Sequence, residues 1–248
     1  MKGDELETDA NGAPIFKLWF LPKDQFEIMR TWDVAGLRGS GSDDVKADGA
    51  VVPAKYAGVD LWSVPAHYPN PVYRMPTALR LAYNKAAIAI GVAKGSLEVF
   101  ADIAQNKIPM LTSASLANRG IAQYRMGVAE ATFRASRAWL METMTAVEDE
   151  LTGNSDLPGA KTTQDARLAC THAANECMKV VDLLHNTAGT TGMRTYSPLE
   201  RKLRDSHGAA THRWVAHPLY EDLGKILLGI EAAPEFAGGA GVPIGPPG

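Results

Sequence analysis

Between Pro76 and Pro109 lies a stretch with little to stop a helix and little polar surface to offer water. Thr77–Lys107 is apolar at Leu81, Ile88, Val92, Val99 and Ile103, and also at Ala86, Ile90 and Leu97. Recurrence at three- and four-residue steps predicts one long helix. An apolar surface that broad has to be covered on most sides. Gly91 and Gly95, four residues apart, leave room for a neighbouring helix to come close. The expectation is a mostly α chain whose helices form an antiparallel bundle.

The rest of the chain supplies the partners. Thr112 or Ser113 is placed to cap a second helix running to about Leu151. A turn-rich loop, Thr152–Thr162, then leads to a third helix, Thr163–Ala188. That helix should bury Ala166, Cys170, Ala173, Cys177, Val180 and Leu184, and Gly189 is its natural stop. A last helix starts at His217–Pro218 and runs through Leu228, and the Gly- and Pro-rich tail from Pro234 reads as disordered.

Ahead of the bundle, Ile15–Leu21 reads as a strand stopped by Pro22, with weaker strands at Phe26–Met29 and Ala50–Val52. Between them runs TWDVAGLRGSGSDDV, Thr31–Val45, whose glycines, serines and aspartates suit tight turns. It has no Walker lysine and opens no helix, so it is not a P-loop. Gly58–Pro76 is an irregular connection and a domain boundary.

A formal charge of −3 over 248 residues, with a pI near 6.1, argues against a nucleic-acid footprint. The apolar run Ala86–Ala93 is too short to cross a membrane, and the acidic Met1–Asn11 does not read as a signal peptide. Cys170 and Cys177 would sit roughly 10 Å apart on one helix, beyond disulfide reach. They read as small core residues in a reducing cytoplasm. No Cys/His cluster stands at metal-ligand spacing.

Chemistry is best sought in Ser197–Trp214, SPLERKLRDSHGAATHRW. Leu199, Leu203, Ala210 and Trp214 form an apolar stripe, and Arg201, Asp205, Gly208 and His212 form a second line along one face. Arg201 and Asp205 can pair one turn apart, and the bare Gly208 lets a flat group approach the backbone. On periodicity alone, a solvated face with an ordinary ion pair is the plainer reading.

The order TWDVAGLRGSGSDDV, VVPAKY, then a bundle carrying LERKLRDSHGAATH near its end resembles the acyl-CoA dehydrogenase superfamily. The resemblance implies that residues 1–57 are the back of a central β domain, 58–76 a linker, 77–232 the carboxy-terminal bundle and 233–248 a tail. The family's amino-terminal helical domain and the front of its β domain have no counterpart in this sequence. Gly189 and Thr190 fall in a glycine loop that, in the family, contacts flavin bound to a neighbouring subunit. Lys107 lies where the family sets a basic residue against the neighbour's flavin phosphate, with a solvated helix end as the alternative. Arg38 could approach flavin or substrate, or form a structural salt bridge.

Dehydrogenases of the family use a glutamate base, and here Arg213 stands at that position. Arginine remains protonated at any working pH and cannot act as a base. Members with the glutamate on the first long helix have Asn84, beside Lys85, as the counterpart, and Glu221 lies in the next helix. Histidines occupy the neighbourhood instead: His212 on the Asp205 face, and His207 toward the Leu203 stripe. That pattern resembles the two-component flavin-dependent monooxygenases that hydroxylate phenols. The resemblance implies reduced flavin (FMN or FAD) from a separate reductase, molecular oxygen, a flavin C4a-hydroperoxide and a homotetramer. A histidine with a pKa near 6.5 could then donate to the peroxide or deprotonate the phenol. A core histidine bonded to a backbone carbonyl is the bland alternative for each. The rival functions are an acyl-CoA dehydrogenase with a relocated base, and a non-catalytic helical module that mediates oligomerisation.

Overall fold

The computed structural model describes residues 8, 18–56, 67–153 and 156–230. Two short strands, β1 (Glu27–Met29) and β2 (Asp44–Lys46), come first. They pair antiparallel, with Glu27 opposite Lys46, Ile28 opposite Val45 and Met29 opposite Asp44. Six helices follow: α1 (Pro71–Arg74), α2 (Thr77–Asn106), α3 (Gly120–Thr152), α4 (Ala160–Ala188), α5 (Pro198–Ala210) and α6 (Leu219–Leu227). The structure is mostly helical, as the sequence predicts. None of the helices among the described residues is long and apolar enough to cross a membrane.

The long helices end where local chemistry ends them. Pro76 precedes α2, and Lys107 closes it with a backbone bond to Ile103 two residues before Pro109. Gly189, at a φ of 59°, terminates α4. Between α3 and α4 the turn is held by Glu150, which accepts from the Gly159 amide at 2.6 Å and the Thr162 hydroxyl at 2.5 Å.

α4 is the central helix, lying against α2, α3 and α5. Its predicted core residues, Ala166, Cys170, Ala173, Cys177, Val180 and Leu184, are all buried. On α2 the buried line runs through Leu79, Ala82, Ala86, Ala89, Ala93, Leu97 and Phe100. The stripe is mainly alanine, which brings α2 and α4 close together. Of the larger aliphatic residues predicted to be core, Leu97 is buried, Leu81, Ile90, Val92, Val99 and Ile103 pack against the core partly buried, and Ile88 is 42% exposed. Gly91 faces open space, and Gly95 admits the Lys202 side chain, not a helix backbone.

Other expectations also change. The second long helix starts at Gly120, not at Thr112 or Ser113. Leu116 is buried in a 3-10 turn whose amide bonds to the Lys107 carbonyl, so the chain is held there before the helix can begin. Ala50–Val52 is not a strand; the partner of β1 is Asp44–Lys46, at the end of the glycine-rich stretch. Of Ile15–Leu21, residues 15–17 lie outside the described residues and 19–21 form no strand. The tail 233–248 and residues 57–66 of the linker region lie outside them as well.

Candidate functional site

Three features meet around α5. The first is the docking of the Thr31–Val45 loop. At Gly36 a Cβ would collide with the Arg204 carbonyl, so only glycine lets the loop backbone lie on the helix. The next residue, Leu37, takes the left-handed conformation at a φ of 53°. Its amide donates to Asp205 Oδ1 at 2.8 Å, and Trp32 Nε1 donates to the Leu37 carbonyl at 3.2 Å. Arg204 bonds the Ala35 carbonyl while also pairing with Glu200 at 2.6 Å.

This arrangement corrects two expectations. Among the described residues, no ion pair joins Asp205 to Arg201; the Asp205 carboxylate holds the loop instead. Gly208 receives the Leu37 side chain rather than an open flat group, since a Cβ there would stand 3.2 Å from Leu37 Cγ. The loop is in turn braced by Asp43, which accepts from the Trp32 amide at 2.9 Å and from Arg30 at 3.1 Å. Those bonds hold its carboxyl below the usual carboxylate range, with the Trp32 amide foremost. Trp32 therefore serves the loop. Arg38 is exposed at the loop tip and makes no salt bridge among the described residues.

The second feature is the seat of His212. α5 ends at Ala210, so His212 stands in the turn beyond the helix rather than on its last face. Buried Trp214 and Val215 anchor that turn. Asn175 of α4, itself buried, donates to the Val215 carbonyl at 3.0 Å. The Val215 amide donates to the His212 carbonyl at 2.9 Å, and the Trp214 amide donates to His212 Nδ1 at 3.3 Å. With Nδ1 accepting, the neutral ring carries its proton on Nε2. Burial, and then the positive charge of Lys85, push the His212 pKa below its ordinary 6.5. His212 is thus a half-buried, neutral imidazole at pH 7.

His207 does not join it. It is exposed, and its Nε2 lies 2.8 Å from Asp182 Oδ1 of α4 instead of facing the Leu203 stripe. None of the three positions weighed for a dehydrogenase base supplies a carboxylate at this seat. Asn84 and Lys85 stand on α2, Arg213 follows His212, and Glu221 is ion-paired to Lys225 at 2.8 Å on α6.

The third feature lies at the other end of α2. Lys107 Nζ donates to the Ala188 carbonyl at 2.6 Å, and a Cβ on Gly189 would stand 3.5 Å from that ammonium. Lys107, Gly189 and exposed Thr190 are therefore brought together from distant parts of the sequence. Sequence reasoning missed Arg125 of α3, which donates to Asn186 Oδ1 at 2.8 Å and lies 3.3 Å from Thr187 Oγ1. Nothing local marked it, because its partners lie 61 and 62 residues away. Two half-buried cations thus flank the 186–190 segment, whose exposed Gly189 and Thr190 add bare backbone and a hydroxyl, a set of groups whose chemistry suits a phosphate.

Residues 83–217 match the acyl-CoA dehydrogenase C-terminal domain. An indole-3-acetate monooxygenase of Acinetobacter baumannii is 29% identical over 229 residues, covering 92% of this chain and 58% of the relative. The oxygenase component of a p-hydroxyphenylacetate 3-hydroxylase, also from Acinetobacter baumannii, is 26% identical over 91% of this chain and 55% of its own length. The chain thus spans a little over half the length of these curated relatives. In fold it is similar to XiaF from Streptomyces, solved with FADH2 and glycerol, at a TM-score of 0.78 and 20% identity. That match covers 97% of this chain and 60% of XiaF.

Proposed function

This chain belongs to the family of the acyl-CoA dehydrogenase C-terminal domain, and we propose that it forms the carboxy-terminal part of a flavin-dependent aromatic monooxygenase. In this reading it is the oxygenase component of a two-component system, its substrate is a small phenolic or similarly electron-rich aromatic, and a separate reductase supplies reduced flavin. The curated relatives, monooxygenases and a hydroxylase named for aromatic compounds, support the general kind.

The observation that carries the proposal is His212. Beside Arg213, which stands where the resemblance sets a dehydrogenase's glutamate, this chain holds a neutral imidazole whose Nδ1 is engaged by the Trp214 amide. The group left for chemistry is Nε2–H. His212 therefore acts as a hydrogen-bond donor to an oxygen atom in the site, and buried Trp214 shields the turn that carries it. The Gly36–Leu37 loop, clamped on α5 just before this turn, covers the adjoining helix face.

The phosphate-like corner fits a flavin. Lys107, Arg125, Gly189 and Thr190 would hold the phosphate of flavin bound to a neighbouring copy of the chain, and Arg38 at the exposed loop tip is a further contact to flavin or substrate. Reduced flavin, when bound, supplies the activation of oxygen. Exposed Ile108, Met110 and Leu111 follow Lys107 directly, and exposed Ile121 and Tyr124 lie near Arg125 on α3. Apolar surface beside a cofactor corner fits assembly with further copies of the chain, a homotetramer in this reading.

The test supplies reduced flavin, oxygen and phenolic or indolic candidates to the wild type, His212→Ala and His207→Ala. Product formed per flavin oxidised should collapse in His212→Ala and persist in His207→Ala. Undiminished coupling in His212→Ala overturns the role given to that residue. Absence of flavin binding by the purified chain at any concentration favours a non-catalytic module.

A further inference from the structure

Arg167 of α4 is 1% exposed, and among the described residues no other fully buried side chain is larger. Taking a guanidinium out of water costs free energy that a methionine in its place would not. What the guanidinium offers instead is a planar head, with donors along its edge and a flat face. Both are used here. Nη1 donates to the Ala78 carbonyl in the first turn of α2 at 2.6 Å, and Cζ lies 5.5 Å from the centre of the Trp214 ring. That separation is within the reach of cation–π attraction, which is strongest where water is excluded. Trp214 is itself buried. Arg213 approaches the same indole at 5.7 Å, but it is exposed, so water competes for its charge.

The place of the indole matters because of what its backbone does. The Trp214 amide donates to His212 Nδ1 at 3.3 Å, the long end of the hydrogen-bond range. A shift of a few tenths of an ångström at residue 214 would break that bond and free the ring proton to move to Nδ1. α4 grips this turn at two points: Arg167 on the Trp214 ring, and Asn175 on the Val215 carbonyl at 3.0 Å. The two residues are eight apart, about 12 Å along the helix. A turn held at one point can pivot, whereas one held at two keeps its orientation. Asn175 fixes the backbone at 215, and Arg167 fixes the side chain next to it, on the His212 side.

We infer that Arg167 is a positioning residue, which acts through Trp214 to keep His212 Nδ1 an acceptor and leave Nε2–H for chemistry. The inference rests on the reading of His212 as a donor in the reaction, while the tautomer of the ring is a property of the chain alone. A strut that only pinned α4 to the start of α2 would stabilise the fold and leave the ring unaffected.

The experiment records long-range proton–nitrogen correlations of the histidine rings in the full chain at about pH 8, where imidazole is neutral. His212→Gln assigns the signals. The wild type should show one tautomer, with Nδ1 bare and Nε2 protonated. In Arg167→Met the two nitrogen shifts should draw together, as they do in a ring exchanging between tautomers. Arg167→Lys, which keeps the charge but not the plane, should behave alike, and Arg213→Met should match the wild type. Val180→Ala removes core contact elsewhere on α4 and controls for lost stability, with thermal melts run on every variant. Added to Trp214→Phe, Arg167→Lys should change the ring no further. With reduced flavin and an aromatic substrate, Arg167→Lys should form about tenfold less product per flavin oxidised, the effect of one lost hydrogen bond. A wild-type ring already averaged, a single tautomer that survives Arg167→Lys, or an equal loss in Val180→Ala overturns the assignment. Flavin binding by the same preparations judges the wider reading separately: a chain that binds no flavin yet loses its tautomer in Arg167→Lys sinks the reaction and keeps the positioning role.

Discussion

The amide of Leu37 donates to the Asp205 carboxylate at 2.8 Å across 168 residues of sequence, fastening the glycine-rich loop to α5. Its neighbour Gly36 makes the contact sterically possible. Gly36→Ala should force the loop off the helix and destabilise the chain by about 1–3 kcal/mol, the usual range for overpacking. Limited proteolysis should then cut within Thr31–Val45 faster than in the wild type, while Gly39→Ala, where a Cβ meets nothing within 4 Å, should behave normally. Equal protection in both variants would show that the loop is held by something else.

Asn175 links the central helix to the turn that carries His212. Asn175→Ala leaves the Val215 carbonyl without this buried donor and should cost about 1–3 kcal/mol in chemical denaturation. In the proposed reaction the variant should also lose coupling, since the imidazole is no longer held. Retained coupling at reduced stability would separate the two effects and remove Asn175 from the positioning of His212.

The pH dependence follows from the lowered pKa of His212. Because the folded chain resists protonating this ring, the unfolded chain takes up the proton first. The stability this preserves is complete above about pH 6.5 and is lost as the pH falls below that value. Denaturation midpoints of the wild type should therefore fall more steeply between about pH 6.5 and 5 than those of His212→Gln. Parallel curves would mean the ring titrates as it does in water.

In the proposed flavin site, Lys107 and Arg125 would take the phosphate together with Gly189. The double variant Lys107→Ala/Arg125→Ala should weaken flavin binding by about a hundredfold, roughly tenfold per lost charge-assisted contact. Fluorescence quenching of free flavin reads this directly. Unchanged affinity would place the phosphate elsewhere.

Much of the bundle could be read from sequence because helix periodicity and its punctuation are local. Pro76, Pro109 and Gly189 mark ends that the structure keeps to within a few residues. The start of α3 could not be read this way, since Leu116 is buried by contacts that Thr112 and Ser113 do not announce. β2 was hidden for a different reason: Asp44, Val45 and Lys46 are all exposed, so no alternation signals a strand. At the site, Lys107 and Gly189 were legible as separate residues, and the fold supplies their meeting. The environment of His207 was misread because helical spacing gives a direction but not the Asp182 that waits there. Asp205 gave up its expected Arg201 partner for a backbone amide, a choice set by tertiary docking.

The two cysteines of α4 are fully buried, and burial pushes both thiols up to about 12. At neutral pH almost no thiolate forms, so neither sulfur is a ready nucleophile. In an oxygen-handling catalyst, hydrogen peroxide leaking from futile turnover would find these sulfurs sealed away. Oxidative wear would fall on the thioether of Met110, 89% exposed at the bundle's end, and leave the central helix unscarred.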